Sequence, residues 1–426
     1  MPISSKSSVM AIMVESTEGT PVVPGAATDF VALQDGFSLE PGFNNLENKE
    51  LKGSIGKAKP MRGLEQPKVS FDHYVRHSGI EGQAPNYKQV LKSVFGTERI
   101  VGTQQVTIAG CTTSLVKVGG GLGTTFKRGQ ALLIKDPVNG NQIRPVHSIA
   151  TDDLTLGFNL AAAPGTGVGL GKPCMYEPAN SGHPPLTVWE YRGNGGAVEM
   201  VSGCRVVDAS IDIAAGDFIS GKYSMEGVSF YFNPVVVTAS NNKIDFLDNA
   251  ATRAATVPAK VYKDNIDFAQ AVQDAMNNLG SGNTFTCTYS SLTGKYTITS
   301  NGTTLTMKWN TGVNTATSAA VLLGFTTASD SSAALTYTSI NALTLTAPYT
   351  PSFDAQDPMV AKDNELYIGD ATSLTPIKAK SLSFKIQNSR NAVEDVTATS
   401  GVSGSVIKER TVSMSFVATL DAYDVD

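Results

Sequence analysis

Two long runs between Leu186 and Phe232 alternate apolar and polar residues, and no other feature of the sequence constrains the fold as tightly. In the first, Val207, Ala209, Ile211 and Ile213 point one way while Asp208, Ser210 and Asp212 point the other. In the second, Ile219, Gly221, Tyr223 and Met225 alternate with Ser220, Lys222, Ser224 and Glu226. A period of two belongs to a strand with one dry and one wet face. Ala214-Ala215-Gly216-Asp217 supplies a turn, so a long antiparallel hairpin with a polar outer face is expected. The device returns near the C-terminus. Leu382, Phe384 and Ile386 alternate with Ser381, Ser383, Lys385 and Gln387; Val412, Met414, Phe416, Ala418 and Leu420 alternate with Thr411, Ser413 and Ser415. Strands with one uniformly polar face suit a sheet lining an aqueous space, although a sheet facing bulk solvent carries the same pattern.

A chain of 426 residues is long enough for two or three domains. Its charged fraction is 17% and its net charge is -5, which argues against a surface that grips nucleic acid. Cys111, Cys174, Cys204 and Cys287 are far apart in sequence and form no CxxC motif, so buried free thiols are expected. The opening MPISSKSSVMAIMVEST lacks the apolar centre of a signal peptide. No apolar run approaches the ~20 residues of a membrane helix. A soluble protein made in the cytoplasm is the expectation.

Composition shifts divide the chain into core segments and inserts. Residues 1–24, rich in Ser, Thr, Gly and Pro, read as an N-terminal arm that orders on a partner. Residues 25–99 form the first part of a core. It has a strand from Phe30 to Leu39 with a turn at Asp35-Gly36, and a second strand from Lys68 to Val75. A helix over 86–95 follows, in which Tyr87, Val90, Leu91, Val94 and Phe95 share a face between Pro85 and Gly96. Within this part, 44–63 is an extended arm carrying Lys49, Lys52, Lys57, Lys59 and Arg62. A loop of this length is usually functional or disordered; an arm that docks on a neighbouring subunit is the expected role, with a solvated mobile loop as the alternative. Residues 100–178 read as a small all-β insert and 179–235 as the second part of the core. Residues 236–348 read as an α+β insert. It has a helix from Asn265 to Leu279, a hairpin turning at Thr293-Gly294, and a short helix in TATSAAVLLGF ending at Gly324. Residues 349–426 complete the core, so the inserts leave and return to nearly the same place.

Motifs for chemistry are weak. Gly165 to Lys172 (GTGVGLGK) is followed by Pro173 where a phosphate-binding loop needs Ser or Thr, and Gly119-Gly120-Gly121-Leu122-Gly123 has no lysine. His73 and His77 are four apart but straddle a strand end, which does not make the helical pair of a zinc site. Asp208 and Asp212 share a strand face, where a solvated acidic surface is the ordinary outcome. No catalytic residue, cofactor site or metal site is assigned, and an enzyme is not expected.

Four stretches carry a resemblance: FDHYVRHSG with APNYKQVLKSVFG, then LTVWEYRGNGGAVEMVSGCRVVDASIDIAAGDFISGKYSMEG, then SLSFKIQNSRNAVEDVTATSG, then SVIKERTVSMSFVATLD. Together they resemble the tail tube protein (major tail protein) of long, non-contractile-tailed bacteriophages of the siphovirus type. The resemblance implies a mainly β fold: a β-sandwich or barrel-like core with a flanking α-helix, here with inserted decoration modules. It implies a homo-hexameric ring whose sheets join edge to edge, rings stacked into a tube, and a hydrophilic, weakly acidic lumen that conducts the genome at ejection. The expected lumen residues are Asp208, Ser210, Asp212, Ser220, Lys222, Ser224, Glu226, Ser381, Ser383, Lys385, Ser413 and Ser415, with Lys222 and Lys385 pairing with nearby acids. The implied partners are further copies of the chain, a tape measure protein, tail terminator and tip proteins, and viral DNA in passing, with no membrane; the implied location is the virion tail. The alternative is a tail-tip or adhesin-like carbohydrate-binding structural protein.

Overall fold

A computed structural model describes residues 7–50, 59–193, 195–342, 345–362, 366–369 and 374–418. The elements that build the core are, in chain order, β1 (Val9–Val14), β2 (Ser38–Glu40), β3 (Lys68–Tyr74), α1 (Lys88–Phe95), β4 (Leu186–Arg192), β5 (Ala197–Ala214) and β6 (Ser220–Glu226). The helix α2 (Asn265–Asn277) lies in the later insert, and β7 (Ala379–Glu394) and β8 (Val402–Ala418) close the core. The fold is mainly β.

β5 is 18 residues long and belongs to two layers. Its first half pairs with β4, which pairs in turn with β1, and with the strand Ser229–Phe232. Its second half lies between β6 and β7. The outer neighbours of that second sheet are β3 and β2 on one side and β8 on the other. The strand changes layer around Gly203, whose φ of +67° and close approach to Val228 leave no room for a side chain. A bulge between Val206 and Asp208 follows. Between the layers pack Met10, Ile12, Val69, Phe71, Val188, Val201, Val206, Tyr223 and Met225. α1 adds Val90 and Val94 to this core and ends at Gly96, where φ is +94°.

The inserts have cores of their own. Val116, Leu132, Ile134, Val146, Leu154 and Leu170 cluster in the first, and its entry and exit strands, Gly96–Ile100 and Cys174–Pro178, pair antiparallel. In the second, α2 lays Phe268, Val272 and Met276 on a cluster with Phe246, Phe285, Tyr296 and Trp309. Asp264 caps α2, accepting from the backbone N–H groups of Ile266 and Asp267.

Several local expectations need correction. The leader is not a free arm: its residues 9–14 form β1, with Met10, Ala11 and Ile12 buried. The short helix expected in TATSAAVLLGF is a 3-10 turn at Thr315–Thr317 followed by turns, because Ala319, Ala320, Leu323 and Phe325 reach the core irregularly. Val207 does not join the dry face; the bulge hands that place to Val206. All four cysteines are free, but only Cys204 and Cys287 are buried.

Candidate functional site: a wet sheet face with an open edge

Residues directly opposite on antiparallel strands share a face, so the register of the second sheet can be read as rows. One row runs Ser70, Ser224, Asp208, Gln387, Thr411. The next runs Asp72, Lys222, Ser210, Lys385, Ser413, and the third Tyr74, Ser220, Asp212, Ser383, Ser415. Ser381 extends this face beyond the third row beside Ala214 and Val417, and Glu226 flanks it at the other end beside Lys68 and Arg205. All twelve expected polar residues therefore lie on one face. The sequence reading missed the contribution of β3: Ser70, Asp72 and Tyr74 alternate with Val69, Phe71 and His73 in the same period of two and belong to the same surface.

The charges on this face are cross-linked. Lys222 Nζ lies 3.0 Å from Asp212 Oδ2, and Lys385 Nζ lies 2.8 Å from Asp208 Oδ2. Ser383 Oγ donates to Asp212 Oδ1 at 2.6 Å and Gln387 Nε2 donates to Asp208 Oδ2 at 3.1 Å. Partial burial pushes the Asp212 carboxyl up, but the Ser383 hydroxyl and the Lys222 ammonium more than offset it, and it titrates below the ordinary aspartate range. Asp212 in turn raises the Lys222 pKa, first by hydrogen bonding and then by its charge. Within the three rows, Asp72, Asp208 and Asp212 face Lys222 and Lys385, which leaves a single negative charge in excess. The rest of the rows is hydroxyl, amide and one phenol.

The half of the β7–β8 hairpin nearest its turn is held by a polar network. Arg205 donates to Glu18 Oε2 from both Nε and Nη2, at 3.1 and 2.6 Å, and the Ser405 hydroxyl donates to Glu18 as well. Arg410 Nε donates to Asn388 Oδ1, and Asn388 Nδ2 donates to the Val206 carbonyl. The hairpin is thereby fixed to β5 and to the N-terminal segment, while the second half of β8, residues 411–418, is exposed along its length. Among the described residues β7 is the single strand partner of the 17-residue β8, and its other side has none. At the far side of the sheet the last strand, β2, spans three residues.

The arm begins as a hairpin, Phe43–Leu46 with Met61–Glu65, and Arg62 lies 4.6 Å over the Phe43 ring. Lys49, Lys59 and Arg62 are placed on it; Lys52 and Lys57 lie outside the described residues. Other sequence candidates are accounted for by structure. His73 is buried in a stack with Tyr223 and Tyr87, and burial lowers its pKa to about 4. His77 Nδ1 accepts from the backbone N–H of Gly79. In the glycine-rich loop, Gly121 N and Gly123 N both donate to the carboxylate of Asp152. Among the described residues no cluster of His, Cys, Asp or Glu has the makings of a metal site, and no helix is long and apolar enough to cross a membrane.

Neither a scan against protein-family models nor a search of curated proteins finds a match to this chain.

Proposed function

We propose that this chain is a structural virion protein that assembles into stacked hexameric rings, the tube of a phage tail, with the wet sheet face turned to a lumen that conducts the genome. One observation carries the reading: a long sheet has a charge-compensated polar face and ends in an edge strand with no strand partner on its outer side among the described residues. Thr411 to Ala418 contains no charge, no proline and no glycine, the features that normally blunt an exposed edge. Such an edge invites pairing with another chain, and head-to-tail pairing with the next copy around a ring covers it in every copy.

The lumen chemistry follows from the rows. DNA presents one negative charge per ~1.7 Å of its axis, and a lysine-rich wall would hold it by releasing counterions. Here each lysine of the rows is already paired with an aspartate, so the wall offers hydroxyls and tied charges instead of free cations. DNA and a tape measure protein are the proposed contents, and tail terminator and tip proteins the proposed neighbours at the tube ends. The carbohydrate-binding alternative loses its best stacking groups, since Trp189 and Trp309 are 2% and 0% exposed.

Electron microscopy of the purified chain tests the proposal. Rings or tubes of uniform bore, with Ser210, Asp212 and Ser383 inside, are expected. A monodisperse monomer at all concentrations, or an assembly with the Ile211, Tyr223 and Phe416 face inside, would refute it.

A further inference from the structure

The loop that leads from the first insert into β4 carries one side chain that touches three parts of the molecule. His183 is half-buried between the C-terminal end of α1, its own loop and β8. Its Nδ1 lies 2.9 Å from the Ser93 carbonyl oxygen, in the last turn of α1. Its Nε2 has two neighbours: the Ala179 carbonyl oxygen at 3.0 Å and Arg410 Nη2 at 2.8 Å. The ring has little room to shift, since a Cβ on Gly96 would come to 3.0 Å from its Cε1 and Nε2.

These three contacts cannot all be hydrogen bonds at once. A neutral imidazole offers one donor and one acceptor, and an imidazolium offers two donors. With its proton on Nδ1, the neutral ring donates to Ser93 O and accepts from Arg410 at Nε2. The imidazolium donates to Ser93 O and to Ala179 O, both already at bonding distance, and its Nε2–H then opposes a guanidinium 2.8 Å away. Among the described residues no acid bonds the ring or Arg410. Glu18 is taken by Arg205 and Ser405, and Arg205 also donates to the His183 carbonyl. Glu98, on the strand Gly96–Ile100, accepts from the Tyr176 hydroxyl. On β7 the neighbour of Arg410 is the neutral Asn388, and on α1 Arg410 Nη2 lies 3.5 Å from Val94 O. Lys92 adds a further positive charge to the last turn of α1. The carbonyl end of a helix favours a cation, so Arg410 and a protonated His183 compete for it.

We propose that His183 is a proton-operated latch on the β7–β8 hairpin. While its ring is neutral it accepts from Arg410 and ties β8 to the end of α1. A proton taken from solvent at Nε2 turns both N–H groups to the Ser93 and Ala179 carbonyls and drives Arg410 off. The hairpin then keeps its Asn388 and Glu18 bonds but loses its tie to the helix. Histidine is the side chain that ordinarily changes charge between about pH 5 and pH 8. The latched form holds one proton fewer than the released form, so the latch is closed at the alkaline end of that window and opens as pH falls. The latch stands on the geometry of a single chain. Its consequence rests on the ring reading: β8 carries the proposed seam, so acid loosens the strand on which neighbouring copies meet.

Amide hydrogen exchange of the full-length chain, read by mass spectrometry and corrected for the intrinsic effect of pH, tests the latch. In wild type, peptides covering residues 402–411 should exchange about tenfold faster at about pH 5.5 than at about pH 8, while β4 stays unchanged. His183→Gln keeps an acceptor for Arg410 but takes up no proton, so its exchange should be slow at both pH values. Arg410→Gln should exchange fast at both. No step in wild type, or a step that persists in His183→Gln, would overturn the latch. Micrographs of the same samples separate this from the ring reading. Rings and tubes of wild type should thin out in acid, and those of His183→Gln should not. The exchange step with equal assembly at both pH values would keep the latch and overturn its hold on the seam. The step in a chain that never assembles would keep the latch and overturn the ring.

Discussion

β6 and β8 belong to the same sheet and alternate in the same way, yet their dry faces meet different fates. On β6, Tyr223 and Met225 are 4% and 0% exposed, sealed under the opposite layer and α1. On β8, Val412, Met414 and Phe416 are 51%, 55% and 39% exposed. Between them the cover thins gradually. Ile386 is buried, but Phe384 and Leu382 on β7 and Ile211 and Ile213 on β5 are only half-buried. The sheet is wider than the layer that covers it. A single copy therefore completes one side of its core and leaves the other uncovered, and the proposed ring assigns that cover to a neighbouring copy.

That contrast can be broken by mutation. Phe71→Ala, under the covered part, should cost the isolated subunit about 3–5 kcal/mol in urea unfolding, while Phe416→Ala should stay within about 0.5 kcal/mol. Equal losses would mean that β8 is already packed in the monomer. Conversely, Met414→Lys with Phe416→Lys should abolish rings and tubes in micrographs while leaving the unfolding midpoint of the monomer in place. If assembly survives, the apolar stripe is not the seam.

A third test addresses the covered layer alone. Glu15 and Glu190 are held among β1, β4 and β5, and burial raises both to about 7, against partial compensation from Gly203 and Thr187 for Glu15 and from Arg192 for Glu190. Between the ordinary glutamate value and about 7 the folded chain retains protons that the unfolded chain has released, so stability falls as pH rises through that window. Glu190→Gln should flatten this fall, gaining on wild type between about pH 5 and pH 8 in thermal melts. Parallel curves would show that Glu190 ionises freely. The smallest effect belongs to the wet face. Lys222→Ala and Lys385→Ala remove partly exposed pairs and should each cost less than about 1 kcal/mol. They should also make the face more acidic, so assembled tubes should bind no more DNA at low salt than wild type. Increased DNA retention would contradict a wall that works by withholding free cations.

Much of the wet face was legible in the sequence because side-chain direction in a strand is fixed by backbone geometry. Once Asp208, Ser210 and Asp212 are placed on one side of β5, antiparallel pairing carries Lys222, Ser383 and Lys385 to the same side. Asp72 and Tyr74 went unassigned because nothing local says that β3 lies next to β6; that pairing joins residues about 150 positions apart. β1 was hidden by the serine-rich residues around it, although VMAIMV is an ordinary buried strand once β4 is beside it. The bulge at Val207 was equally invisible, since an extra residue in a strand shows up only against its partner.

The amino-acid order alone settled the long alternating strands, the turn between β5 and β6, and, apart from the bulge at Val207, which of their side chains share a face, because each depends on neighbours within a few residues. Which strands sit side by side, how far the second layer reaches, and where the cover stops short of β8 were decided by contacts between distant parts of the chain. Burial is a property of what arrives on top of a residue, and no local pattern encodes it.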